Sequence, residues 1–243
     1  MVTTYYVEQP RALLDETSVL SRCVLWRSAF RGFSVSYPAE LLDVEPAAAW
    51  MRRHRVTVDV VTAAELNLAL ASGIRSAQLV MHPRNAAALA SAGMGQVSRL
   101  VVDSGEQAAA LARGARRLEH VFVCAGPGMP AVVAEVLRHR ALDPVGLHCA
   151  ADPAHDPIGL GALRSALADM AMIRRSHSVL LSRISLAGMD GGLFGLHPWA
   201  LRRVAGALGD VLEEQCARYR FPRPALTVAP SVHALLPRDV NAA

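Results

Sequence analysis

Lysine is absent from this chain of 243 residues: all 25 of its Lys or Arg positions are arginine. A guanidinium keeps its proton and cannot attack a carbonyl as an amine, so any mechanism needing an imine on a lysine of this chain is excluded. GC-rich coding, suggested by abundant Ala, Arg, Gly and Val, explains the exchange at surface positions but not at a catalytic one. Aromatic residues make up only 5% of the chain, and Trp26, Trp50 and Trp199 are scattered, which fits packing rather than a platform for stacking bases. The four cysteines, Cys23, Cys124, Cys149 and Cys216, show no metal-ligand spacing and read as reduced thiols. No apolar run approaches the ~18 residues of a membrane span, and the first residues lack the regions of a signal peptide, so a cytoplasmic protein without a membrane partner is expected. A Gly-x-Ser-x-Gly elbow and an H-E-x-x-H pair are also missing. Net charge is +4, too small to imply nucleic acid by itself.

What is present is a large apolar fraction, 52%, in a length suited to one α/β barrel. Apolar runs of strand type alternate with Ala-rich helical stretches. Eight strands are expected, near Phe33 to Ser36, Val56 to Val61, Gln78 to Met81, Arg99 to Val102, His120 to Cys124, Pro144 to His148, Val179 to Leu186 and Ala225 to Ala229. Helices are expected over Pro46 to Arg53, Ala63 to Ala71, Asn85 to Ala92, Glu106 to Ala112, Pro130 to Arg138, Leu160 to Arg174 and Pro198 to Ala217, with one extra helix before Ala29. Eight such units close a (β/α)8 TIM-type barrel, here one domain over residues 1–243 with a short tail from 230. Charge placement is an independent check. Arginines precede nearly every strand, where cations complement helix C-termini by ~0.3 to 1 kcal/mol each. Acidic residues follow the strands: Glu40, Asp43, Glu45, Glu65, Asp103, Glu106, Asp152, Asp156 and Asp190. An acidic mouth over a basic base is the inference, and a polyanion-docking underside is the functional alternative to helix-end compensation.

Val58-Asp59-Val60-Val61-Thr62-Ala63-Ala64-Glu65-Leu66, then Leu70-Ala71-Ser72-Gly73 and Leu100-Val101-Val102-Asp103-Ser104, resemble the N-terminal barrel of the fold-type III pyridoxal-phosphate decarboxylases acting on diaminopimelate, ornithine and arginine. The resemblance implies an alanine-racemase-like barrel, and it also implies that the second, all-β domain of those enzymes would start where this chain stops. In that family the first strand ends in a cofactor lysine, where Phe33-Ser34-Val35-Ser36-Tyr37-Pro38 places Ser36. After the sixth strand the family has two histidines, the second stacking on the cofactor ring; here Gly146-Leu147-His148 is followed by Cys149 and Ala150. A glycine loop that would hold the phosphate corresponds to Gly188, Gly191 and Gly192, with Asp190 among them. The Glu-Pro-Gly-Arg ending strand eight, whose Glu pairs with the ring nitrogen, corresponds to Ala229-Pro230-Ser231-Val232.

The resulting expectation is a decarboxylase-like pseudoenzyme barrel that does not decarboxylate or racemise. No covalent cofactor is expected, and pyridoxal phosphate would be bound non-covalently at most. Its role would be that of a regulatory or scaffold partner, as a homodimer or in a hetero-oligomer with an active homologue. The alternative is a binding protein for an amine or basic amino acid, or a metal-dependent enzyme, at the acidic mouth. His82, Asp103 and His148 are the candidate metal ligands, and His148 and Asp103 the weak catalytic candidates.

Overall fold

The computed structural model describes residues 16–82, 97–190 and 197–236. Eight parallel strands close a barrel in sequence order: β1 (Ser34–Pro38), β2 (Thr57–Val60), β3 (Leu79–Met81), β4 (Arg99–Val102), β5 (Glu119–Cys124), β6 (Leu142–Ala150), β7 (Arg183–Met189) and β8 (Ala225–Pro230), which returns to β1. The α-helices among the described residues are α1 (Glu16–Ala29), α2 (Glu45–His54), α3 (Ala63–Ala71), α4 (Gly105–Gly114), α5 (Met129–Arg138), α6 (Leu160–His177), α7 (Pro198–Tyr219) and α8 (Val232–Leu235). All eight expected strands are present. The helix expected over Asn85 to Ala92 lies outside the described residues. Strand seven begins at Arg183 rather than Val179, because α6 continues to a left-handed cap at Ser178 (φ 57°) and the chain needs the next four residues to return to the sheet.

Alternation along the strands separates two apolar layers. On β1, the Tyr37 hydroxyl donates to the carbonyl of Cys23 in α1 at 2.8 Å, so Tyr37 faces the helices and its neighbour Ser36 faces the barrel interior. The outward residues of the strands pack with the helices into one continuous core containing Val58, Leu79, Leu100, Val121, Leu147 and Ile184. Inside the barrel a separate small cluster of Val80, Val101 and Phe122 forms, edged by Cys124 and Val145. The remaining inward positions are mostly polar or small, which is unusual for a barrel packed only for stability.

Two of the sequence stretches that carry the family resemblance turn out to be helix starts. Thr62 caps α3: its hydroxyl accepts from the Glu65 N–H at 3.1 Å and donates to Glu65 Oε1 at 2.9 Å, while Glu65 Oε2 accepts from the Val61 N–H at 2.8 Å. Ser104 repeats the arrangement at α4, accepting from the Gln107 N–H at 3.3 Å while Gln107 Oε1 accepts from the Asp103 N–H at 3.0 Å. Both satisfy amides that a helix leaves without partners, and so these motifs encode the strand-to-helix turn rather than a reaction. Thr62→Ala is expected to lower stability by about 1 kcal/mol in urea unfolding. A change below a few tenths would show that the cap contributes nothing.

The placement of charge follows the same logic. Arg27, Arg52 with Arg53, Arg113, Arg138, Arg174 with Arg175, and Arg218 all lie in last helical turns. Among the acidic residues at the other end, Glu65 acts in the α3 cap, and Asp156 accepts from the Leu160 N–H at 2.9 Å and the Ala162 N–H at 3.0 Å at the start of α6. Part of the acidic mouth is thus helix capping.

Candidate functional site at the barrel mouth

The polar side chains of the interior meet towards the C-terminal ends of the strands. Asp59 on β2 pairs with His82, which follows β3: Asp59 Oδ1 lies 3.1 Å from His82 Nε2, and each side chain is 18% exposed. The His82 ring stands edge to face against His148 of β6, with ring centroids 4.7 Å apart. His148 Nδ1 lies 3.1 Å from the hydroxyl of Ser185 on β7, its register partner. A row of polar groups, Asp59, His82, His148 and Ser185, therefore crosses the barrel.

His148 is held neutral. Burial, and then the neighbouring His82, push its pKa down to about 4, with Asp59 opposing weakly. A base of that strength is poorly matched to proton abstraction near pH 7. Cys124, the register partner of His148 on β5, has its thiol pushed up to about 11, by burial first and the charge of Asp103 second. This thiol is no ready nucleophile. Arg99, half-buried at the start of β4, has its pKa lowered by burial and by Arg183, with Asp59 opposing.

Of the residues singled out from sequence, His82 and His148 come together, whereas the acidic partner of His82 is Asp59 and Asp103 is exposed. No group of three or more His, Cys, Asp or Glu side chains among the described residues is arranged as metal ligands. Ser36 is 2% exposed, and its hydroxyl has no hydrogen-bond partner among the described residues. Gly188 takes a left-handed conformation (φ 73°) near the end of β7, while Gly191 and Gly192 lie outside the described residues. The Asp190 N–H donates to the carbonyl of Pro157 at 3.3 Å. Ala150 ends β6 with an exposed methyl, and Ser231 caps α8 by accepting from the Ala234 N–H at 3.2 Å. Sequence reasoning missed Asp59, Ser185 and the inward Arg99. Asp59 had a visible signal as an acid between valines that alternate toward the core; Ser185 had none, because its role depends on a strand 37 positions away from His148.

This closed parallel barrel has the fold of solved amino-acid decarboxylase structures. Solved structures that share it include two decarboxylases. Diaminopimelate decarboxylase from M. jannaschii matches with a TM-score of 0.74 at 14% identity, over 91% of this chain and 60% of that one. The lysine/ornithine decarboxylase from Vibrio vulnificus, complexed with cadaverine, matches with a TM-score of 0.73 at 13% identity, over 89% of this chain and 60% of that one. In sequence the chain is similar to a diaminopimelate decarboxylase of Actinosynnema pretiosum subsp. auranticum, 26% identical over 259 residues, which cover 91% of this chain and 57% of that protein. The chain thus spans less than two thirds of the length of each of these three relatives. No family model matches it.

Proposed function

We propose that this barrel is a decarboxylase-like protein that does not run pyridoxal-phosphate chemistry and serves as a regulatory or scaffold partner, either as a homodimer or beside an active homologue. The observation that carries this reading is Ser36: it occupies the position that the resemblance assigns to the cofactor lysine, buried and unpartnered among the described residues, in a chain with no lysine at all. The residues present do not fit covalently held pyridoxal phosphate. Ser36 offers no amine, Ala150 no ring to stack, and Ala229-Pro230-Ser231 no carboxylate for a ring nitrogen, with the Ser231 hydroxyl already engaged in a helix cap. Four free thiols fit a reducing, cytoplasmic setting. Among the described residues, no helix is long and apolar enough to cross a membrane.

The test is equilibrium dialysis against pyridoxal phosphate followed by borohydride reduction and peptide mapping, with carbon dioxide release assayed on diaminopimelate, ornithine and arginine. The expected result is no pyridoxyl group on any side chain and no release. A stoichiometric reduced adduct, or turnover, would overturn the proposal.

A second reading has one observation in its favour. The Asp59–His82 pair puts a partly buried carboxylate at the mouth of a barrel whose Vibrio counterpart was solved with the diamine cadaverine. A cationic amine or basic amino acid could bind there. Calorimetric titration with cadaverine and ornithine decides it: saturable binding that Asp59→Asn abolishes supports this reading, and no heat at millimolar ligand sinks it.

A further inference from the structure

The face opposite the mouth holds a cavity of about 710 Å³, between the C-terminal ends of α1 and α2 and the first residues of β1 and β2. Arg27, Arg31 and Arg55 line it together with His54, and among the described residues no carboxylate lines it. The helix ends do not account for this charge. Each of the two helix C-termini presents about half a unit of negative charge, and α2 already has Arg52 and Arg53 in its last turn, with Arg52 bonded to the Ser72 carbonyl at 3.0 Å and to Glu45 at 2.8 Å. Three further guanidiniums exceed what the dipoles neutralise. Among the described residues neither Arg31 nor Arg55 has an ion-pair partner, and Arg27 lies over the Trp50 ring at 5.7 Å.

The rest of the wall adds what a ligand with an apolar body needs. Trp50 and Phe33 supply aromatic surface, and hydroxyls of Ser28, Ser34 and Thr57 supply donors beside the guanidiniums. Guanidiniums with hydroxyl donors suit phosphate oxygens, to which arginine binds in a planar fork. The volume sits inside the ~300 to 1,000 Å³ of small-molecule sites and far exceeds the space one phosphate group fills. We propose that this cavity binds a phosphorylated organic ligand of nucleotide size, with its phosphates on Arg27, Arg31 and Arg55 and its body against Trp50 and Phe33. This site is independent of the reading of the barrel mouth.

The test uses isothermal titration of the full chain with ATP, AMP, adenosine and inorganic phosphate, at low and at high salt. ATP is expected to bind one equivalent, more weakly as salt rises, with adenosine and inorganic phosphate each at least about tenfold weaker. In the double variant Arg31→Ala/Arg55→Ala, ATP affinity is expected to fall at least about tenfold. Arg113→Ala, on a helix that does not line the cavity, should leave it unchanged, and circular dichroism shows whether each variant is folded. No heat with ATP at millimolar concentration overturns the proposal. So does unchanged affinity in the folded double variant, or inorganic phosphate binding as tightly as ATP.

Discussion

Gly146→Ala is expected to destabilise the protein by at least about 3 kcal/mol, the result of an added methyl meeting backbone that has nowhere to move. Gly146 faces the barrel interior on β6, in register with Arg183 of β7 and Phe122 of β5. A Cβ at this position would run into the Arg183 carbonyl oxygen and would lie 2.8 Å from Phe122 Cε1. The first contact is with a strand held in the barrel ladder. The second is with a ring that is 2% exposed and fills the centre of the barrel. Neither can retreat without opening the closed sheet, and a few kcal/mol is a large share of the stability of an ordinary domain. Gly206→Ala is the matched control. It adds the same methyl inside α7 with nothing within 4 Å, and it should be neutral or stabilise by about 0.5 to 1 kcal/mol. Urea unfolding of both variants checks the pair. A loss at Gly146 below about 1 kcal/mol would mean that the β6–β7 approach is looser than described.

Acid should weaken the fold through His148. Its folded pKa of about 4 lies below the ordinary histidine value near 6.5, so between those values the unfolded chain binds a proton that the native barrel refuses. The native state is then penalised. The contribution is fully favourable above pH ~6.5 and is lost as pH falls toward 4, amounting to roughly 2 to 3 kcal/mol by pH ~4.5. Unfolding titrations at pH 7 and 4.5 of the wild type and His148→Gln isolate this contribution, because glutamine can keep a bond to Ser185 without taking up the proton. Loss of stability should be smaller in the variant by that amount. Equal losses in both proteins would show that His148 does not titrate below its ordinary range.

The β-α alternation was legible because parallel strands buried on both faces leave continuous apolar runs, and because helix caps such as Thr62 with Glu65 act within four residues. Those local rules placed all eight strands but not all of their ends: the sixth runs over Leu142–Ala150, the seventh starts late because a helix continues to the left-handed cap of Ser178, and a short helix over Val232–Leu235 stands where only a tail was expected. The candidate site was only partly legible. His82 and His148 were visible as histidines at strand ends, but the partnership of His82 with Asp59 rather than Asp103 follows from which inward side chains reach across the barrel, a property of closure and not of spacing.

The underside shows the same division. Clustered arginines before the strands were evident in the chain and fitted helix-end compensation; the open pocket between α1, α2 and the first two strands, and the lack of carboxylates among the described residues of its wall, exist only in three dimensions. By itself, then, the sequence determined the barrel and its order of elements, because hydrophobic period, capping and side-chain type act over short stretches. Tertiary structure alone decided that Ser36 is buried without a partner among the described residues, that Asp59, His82, His148 and Ser185 form one row, and that Gly146 must be glycine. Each of these depends on strands far apart in sequence being brought within a few ångströms by closure of the sheet.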